Sequence, residues 1–314
     1  MSDLSITLYK GEDKISIRQP VEVEIMQEVN RIPFARLVYH DGNPAEENFP
    51  LSAGAQFVPW EKLDVWIERV SFKTPALPAF RGIVTRHSLE GSAKGYSRGS
   101  HLVVELHSAA YKMSLQSRSR VFQAMTDADI FRQIIQEYGL TAGNIATTPA
   151  KHQEIVQYAC SDWDFMLSRV DANGLWLMIS PDSSGSETID IIEPVISGSV
   201  QHQFLYGVVA NGKTGIRSFE MQADMSGQYD TVQSVGWNHI DQKATKTAQA
   251  NAFNLAQSNL LNSNTSQQTA TLHSAATNDE AELQAWADAA MRKSRLAKIR
   301  GRLQVAGHSK YLPN

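Results

Sequence analysis

Apolar residues alternate with polar ones along the first third of the chain, and a period of two puts them on one face of a strand. Val21, Val23 and Ile25 keep that spacing, as do Ala35, Leu37 and Tyr39, with Val29-Asn30-Arg31 as the reversal between them. His40-Asp41-Gly42-Asn43-Pro44 is a turn cluster, where Gly and Asn accept positive φ and Pro stops the ladder. Leu63, Val65 and Ile67 predict the next strand. Gly82-Ile83-Val84 then leads through Gly91 to Gly95 into a strand over His101 to His107, as in a long-looped hairpin. Short strands with Gly/Pro punctuation predict a first β-barrel-like unit over residues 1–112.

The period changes after Met113. Ile130, Phe131, Ile134, Ile135 and Tyr138 recur at helical spacing behind Thr126-Asp127-Ala128-Asp129, a near capping box, and Gly139 closes the helix. A second helix is predicted from Ser161, with Asp164 as the reciprocal capping residue and Phe165, Met166 and Val170 as its apolar face. Asn173-Gly174 stops it, and Leu175 to Ile179 reads as a buried strand. These elements define an α/β insert over residues 113–188. Strand texture returns with Ile189 and Ile191 and continues through Phe219 and Met221 to Val232, Val235 and Trp237. Residues 241–276 are rich in Gln, Asn, Ser, Thr and Ala, which predicts a polar loop that is either mobile or ordered on assembly. A helix over 279–297 has Leu283, Trp286, Ala290 and Met291 on one face, and Ile299, Leu303 and Val305 begin a last strand. The fold class expected is mainly β with an α/β insert (α+β), two small β-barrel-like units of similar topology flanking an α/β subdomain. The second unit, 189–314, stops soon after its last strand and reads as cut short at the C-terminus.

Composition narrows the function. A formal net charge of −4 gives no electrostatic reason to seek nucleic acid or anionic lipid. No apolar run approaches the ~18 residues of a membrane span. The N-terminus lacks a basic region followed by an apolar core, so a cleaved secretion signal is not expected. Cys160 is the single cysteine, which excludes an internal disulfide and a multi-thiolate zinc site within one chain.

The stretch from Gln157 through Tyr158, Ser161, Asp162, Trp163, Asp164, Phe165, Leu167, Ser168 and Arg169 to Gly174 resembles the signature of the VgrG and phage baseplate-hub (late control protein D-like) family, in its N-terminal hub region. Arg31-Ile32-Pro33-Phe34-Ala35 with Asp41-Gly42, Phe80-Arg81-Gly82-Ile83-Val84 and the Asp127 to Leu140 helix match further pieces in order. The resemblance implies a structural hub at the base of a spike in a contractile injection system: a phage tail, a type VI secretion tip or an extracellular injection particle. It implies a homotrimer whose two barrels per chain imitate a six-fold ring, adapting a hexameric tail tube to a trimeric spike. The implied partners are the tail tube protein, a spike or tip protein or a C-terminal spike region beyond Asn314, and effector cargo. The chain would be made in the cytoplasm and leave with its particle. Neither enzymatic activity nor a cofactor is implied, and the signature residues are structural.

Sharper chemistry is weighed against this. His101, Glu105 and His107 share one face of a predicted strand and could form a facial metal triad, but polar outward faces are routine and Val103 shares this one. Asp162 and Asp164 flank Trp163, the warrant for an alternative: a baseplate-associated carbohydrate-binding or cell-wall lytic module. Glycosidase carboxylates oppose each other across a sugar at ~5–9.5 Å, whereas the first turn of a helix aims them at its own amides. Cys160 reads as a small buried hydrophobe, not a nucleophile. No P-loop, dinucleotide turn, nucleophile elbow or paired-histidine zinc motif occurs.

Overall fold

The computed structural model describes residues 4–42, 48–69, 77–92, 99–194, 203–207, 214–246, 249–253, 268–274 and 279–305. The expected turn at Asn43-Pro44, the loop at 93–95 and everything after Val305 lie outside them.

The N-terminal region is one sheet. It comprises β1 (Leu4–Lys10), β2 (Asp13–Lys14), β3 (Glu22–Met26), β4 (Phe34–Asp41), β5 (Lys62–Arg69), β6 (Phe80–Ser92) and β7 (Gly99–His107). The strands run in the order β2-β1-β5-β6-β7-β4-β3, with every neighbour antiparallel. The alternation read from sequence sets the inner face: Leu37, Tyr39, Leu63, Val65, Leu102 and Leu106 are buried in one cluster with Phe57 and Phe80. The order ends at β2 and β3, which do not pair, so the expected barrel is an open sheet among the described residues.

A 3-10 turn (Ala109–Ser114) leads to β8 (Ser117–Thr126), α1 (Asp127–Glu137), β9 (Thr141–Ile145), β10 (Lys151–Ser161), α2 (Asp162–Ala172), β11 (Trp176–Pro181) and β12 (Glu187–Ile192). β8 and β10 pair as an antiparallel ribbon, while β11-β12-β9 is a mixed sheet in which β12 and β9 run parallel. Thr126 closes the predicted capping box on α1, its hydroxyl accepting the Asp129 amide at 3.2 Å while its own amide donates to Asp129 Oδ2 at 3.3 Å. Met113, Ile130, Phe131, Trp163, Met166 and Leu177 share the core of this α/β layer. Ile189 and Ile191, read as the return of β texture, lie in this same core because β12 pairs with β11 and β9.

Two buried polar groups join this layer to the N-terminal sheet. The Arg81 guanidinium holds Asp64 through two bonds of 2.6 and 2.7 Å and donates to the carbonyls of Asp182 (2.9 Å) and Ser186 (2.7 Å) in the β11–β12 turn. Glu187 Oε2 accepts the Ala109 amide at 2.7 Å, pinning the start of the 3-10 turn. Asn30, at φ 61°, adds a reciprocal pair with Leu177, N–H to carbonyl and side-chain oxygen to N–H, each 2.8 Å.

The C-terminal region has β13 (Phe204–Tyr206), β14 (Thr214–Ala223), β15 (Thr231–Asn238), β16 (Lys243–Lys246), β17 (Thr269–Ser274), α3 (Glu280–Leu296) and β18 (Ile299–Val305). These make two three-stranded sheets, β13-β14-β18 and β16-β15-β17, each with one parallel pair. Its strand order therefore differs from that of the all-antiparallel N-terminal sheet, and the similar topology expected for the two units is absent among the described residues. Neither small sheet is closed among the described residues. The polar stretch expected as a loop supplies two strands, β16 and β17, which flank β15; residues 247–248, 254–267 and 275–276 of it are outside the description. Helix α3 starts on the side chain of Asp279, which accepts the Glu282 amide at 2.9 Å, and buries Ala287 and Met291 against Val232.

Candidate functional site

The signature segment folds as a bulged strand end, a capped helix and a glycine stop. Ser161 Oγ accepts the Asp164 amide at 3.0 Å and donates to Asp164 Oδ2 at 2.6 Å, so the predicted cap is present and its return arm lands on the hydroxyl instead of the backbone. Trp163 is 6% exposed, within the α/β core, and Phe165 stacks on Phe122 with centroids 5.5 Å apart. Leu167 packs partly buried on the same core, and the Ser168 hydroxyl bonds back to the Phe165 carbonyl at 2.7 Å. Half-buried Cys160 also lies against this core. Tyr158 lies outside that core. The β8–β10 register slips between Gln157 and Cys160, Ala159 takes φ 46°, and Tyr158 is thrown outward, 80% exposed.

Asp162 does something the sequence did not reveal. Fully buried, it accepts Arg120 Nη2 (2.8 Å), Gln157 Nε2 (2.9 Å) and the Tyr138 hydroxyl (2.7 Å) and has Arg118 at 3.3 Å. Burial and the bond to this carboxylate push the Tyr138 phenol up to about 12. Arg169 Nε and Nη2 bind the two oxygens of Asp127 at 2.7 and 2.9 Å. Gly174 has φ 63°, and a Cβ there would stand 2.8 Å from the Ala289 Cα, so glycine serves both the backbone and the approach of α3. The carbohydrate alternative loses its warrant here: Asp162 is consumed by ion pairs, Asp164 by a cap, and Trp163 by the core.

The histidine strand also disperses. His101 lies against His40 with rings tilted by 40° and centroids 4.7 Å apart, Glu105 reaches Arg86 at 3.5 Å, and His107 Nδ1 meets Thr85 Oγ1 at 2.7 Å, with burial lowering its pKa. Among the described residues no group of three or more His, Cys, Asp or Glu side chains is arranged to hold a metal. No described helix is long and apolar enough to cross a membrane.

What the described surface does offer is an apolar sheet face. In β13-β14-β18, Phe219 faces Leu303 across the ladder, and Tyr206 meets Phe219 edge-on at 5.0 Å. Tyr206, Phe219, Met221 and Leu303 are 64, 51, 68 and 46% exposed. The opposite face is polar, with Ser218 bonded to Gln304 at 3.0 Å and Glu220 opposite Arg302. Alternation at Phe219 and Met221 marked a strand in the sequence; only the tertiary structure tells that the apolar side faces water. Exposed apolar faces of this kind mark interaction sites.

This architecture of an antiparallel sheet, a central α/β layer and small C-terminal sheets is similar to that of two phage tail proteins. It superposes with a tail protein from Neisseria meningitidis at a TM-score of 0.65, with 12% identity, covering 97% of this chain and 81% of that one. It also superposes with the 43 kDa tail protein of prophage MuSo2 from Shewanella oneidensis at 0.60, with 10% identity, over 98% of this chain and 86% of that one. A chain of the half-lidded Francisella PdpA–VgrG complex aligns at 0.49, with 13% identity, over 89% of this chain and 46% of that one. By sequence, the chain belongs to the family described as the Alg8 N-terminal domain, which matches residues 4–314. The structural neighbours agree with the tail and baseplate kind of protein that the signature resembles, while the family match does not single out VgrG. No curated protein sequence matches significantly.

Proposed function

We propose that the chain is a structural component of a contractile tail or related injection particle, the hub at the base of its spike, and that it works by assembly and not by catalysis. The observation that carries this is the tail-protein fold over nearly the whole chain, joined to an exposed apolar sheet face of Tyr206, Phe219, Met221 and Leu303. In this reading the face is covered in a homotrimer, since a closed ring repeats one heterologous contact around its axis. Tail tube, spike or tip protein and effector cargo would then meet the ring. The adaptor part of the reading has lost one support. Among the described residues the two β regions differ in strand order and show no internal repeat that would imitate a six-fold tube, so the match would have to come from quaternary contacts.

The test is light scattering of the full chain beside a variant carrying Phe219→Asp and Met221→Asp, followed by electron microscopy of particles rebuilt with tube and spike partners. A trimeric mass that falls to a monomer in the variant, at unchanged thermal stability, is the expected result. A chain that stays single in assembled particles, or a variant that assembles as well as the parent, overturns the reading.

A further inference from the structure

Two edge strands of this chain carry opposite charge in the same alternation. β3 ends the N-terminal sheet and β18 ends the sheet of β13 and β14, and neither has a second neighbour among the described residues. Along β3, Glu22 and Glu24 share one side, while Val23 and Ile25, with Val21 just before them, share the other. Along β18, Arg300 and Arg302 share one side, and Ile299, Gly301 and Leu303 the other. Both glutamates and both arginines are exposed.

Set antiparallel with Glu22 opposite Arg302, the two strands match at every position from 21 to 25. Val21 then meets Leu303, Val23 meets Gly301, Glu24 meets Arg300 and Ile25 meets Ile299. The inner neighbours extend the pattern, since Glu220 lies opposite Arg302 and Arg36 lies opposite Glu24 and within 3.4 Å of Glu22. Charge would therefore alternate along both rows, Glu220–Arg302–Glu22 and Arg300–Glu24–Arg36. Opposite charges facing across a ladder stabilise it and like charges oppose it. Each edge thus repels its own kind in another copy and accepts the other. Of the remaining described edge strands only β8 carries like charges on one side, and its Arg118 and Arg120 are held by Glu137 and Asp162. Gly301, where a Cβ would stand 2.4 Å from the Glu220 carbonyl oxygen, leaves room on the apolar side for Val23.

We propose that β3 of one copy pairs with β18 of the next, joining the N-terminal sheet of one chain to the C-terminal sheet of its neighbour. The two edges differ, so the contact is head-to-tail and can close into a ring. The apolar side bearing Phe219 and Leu303 then continues the core side of the neighbour's seven-stranded sheet, where Val23 and Ile25 pack. This gives the homotrimer reading its interface and rests on that reading.

Charge reversal and cross-linking of the full chain are the test. E22K with E24K, or R300E with R302E, should weaken assembly in light scattering by about tenfold or more at unchanged melting temperature. All four changes in one chain should restore it, which separates a lost contact from a damaged fold. V21C with L303C, in a C160S background, should give disulfide-linked copies on mild oxidation, both in concentrated solution and in particles rebuilt with tube and spike partners. A trimer that ignores both reversals, is not restored by the combined change or forms no cross-link overturns the edge pairing and leaves the assembly reading standing. A chain that stays single in the particles overturns both. Cross-linked chains that grow without limit keep the pairing and overturn the three-fold ring.

Discussion

The N-terminal sheet and the sheet of β13, β14 and β18 are written in the same alternation of apolar and polar residues, yet they meet water differently. Leu37, Leu63 and Phe80 are 0–1% exposed, while Phe219 and Met221 are 51 and 68% exposed. Seven strands and the Phe57 loop supply enough chain to cover one face; among the described residues, three strands with α3 packed on β15 do not. Alternation decides that a strand forms and which residues share a side. Whether that side is covered depends on how much chain remains to pack over it.

This contrast can be broken by mutation, and the largest effects belong to the covered regions. Phe80→Ala and Trp163→Ala should each cost about 3–5 kcal/mol in chemical denaturation, since each empties a buried aromatic site. If Phe219→Ala cost as much in the isolated chain, the contrast would be false.

The joint between sheet and α/β layer should be proton-linked. Burial raises the Glu187 carboxyl to about 7, against an ordinary value of 4.5, with the Ala109 amide, Ser108 and the Lys62 and Arg81 charges pulling it back only in part. Between those pH values the folded chain holds a proton that the unfolded chain has released. Stability should therefore fall as pH rises through this window and level off above 7, by about 3 kcal/mol in all. Glu187→Gln keeps an acceptor for the Ala109 amide and should flatten the profile, read as melting temperature against pH. An unchanged slope would remove Glu187 as its source.

Ser161→Ala should cost about 1 kcal/mol by removing the acceptor for the Asp164 amide. Smallest of all, Phe219→Ser should leave the stability of the isolated chain within about 0.5 kcal/mol, measured by the same denaturation. Its effect should appear only in assembly.

Local physics was legible in the sequence. The caps at Thr126 and Ser161 lie within three residues of the amides they serve, so their spacing predicts them. The covered strands, the two α/β helices and the inward Trp163 were legible for the same reason. Asp162 was not, because its arginine partner Arg120 is 42 residues away and on another element. Nor were β16 and β17: Thr269 to Ser274 carries mostly small polar residues and becomes a strand through parallel pairing with β15. Parallel pairs join segments distant in the chain, and no local period announces them. The bare face was illegible too, and so were the bonds from Arg169 to Glu282 and from Arg292 to the Gly174 carbonyl, since their partners lie more than a hundred residues apart.

The bare face also sets a clock. A newly made chain displays Phe219, Met221 and Leu303 from the moment this sheet folds, beside β18, an edge strand of the sheet among the described residues. Capture by the proper partner and adhesion between stray copies then compete, and both speed up with concentration. Yield should therefore depend on the order and timing of synthesis as well as on stability. Production of this chain ahead of its partners would favour insoluble material, and production together with them would favour particles.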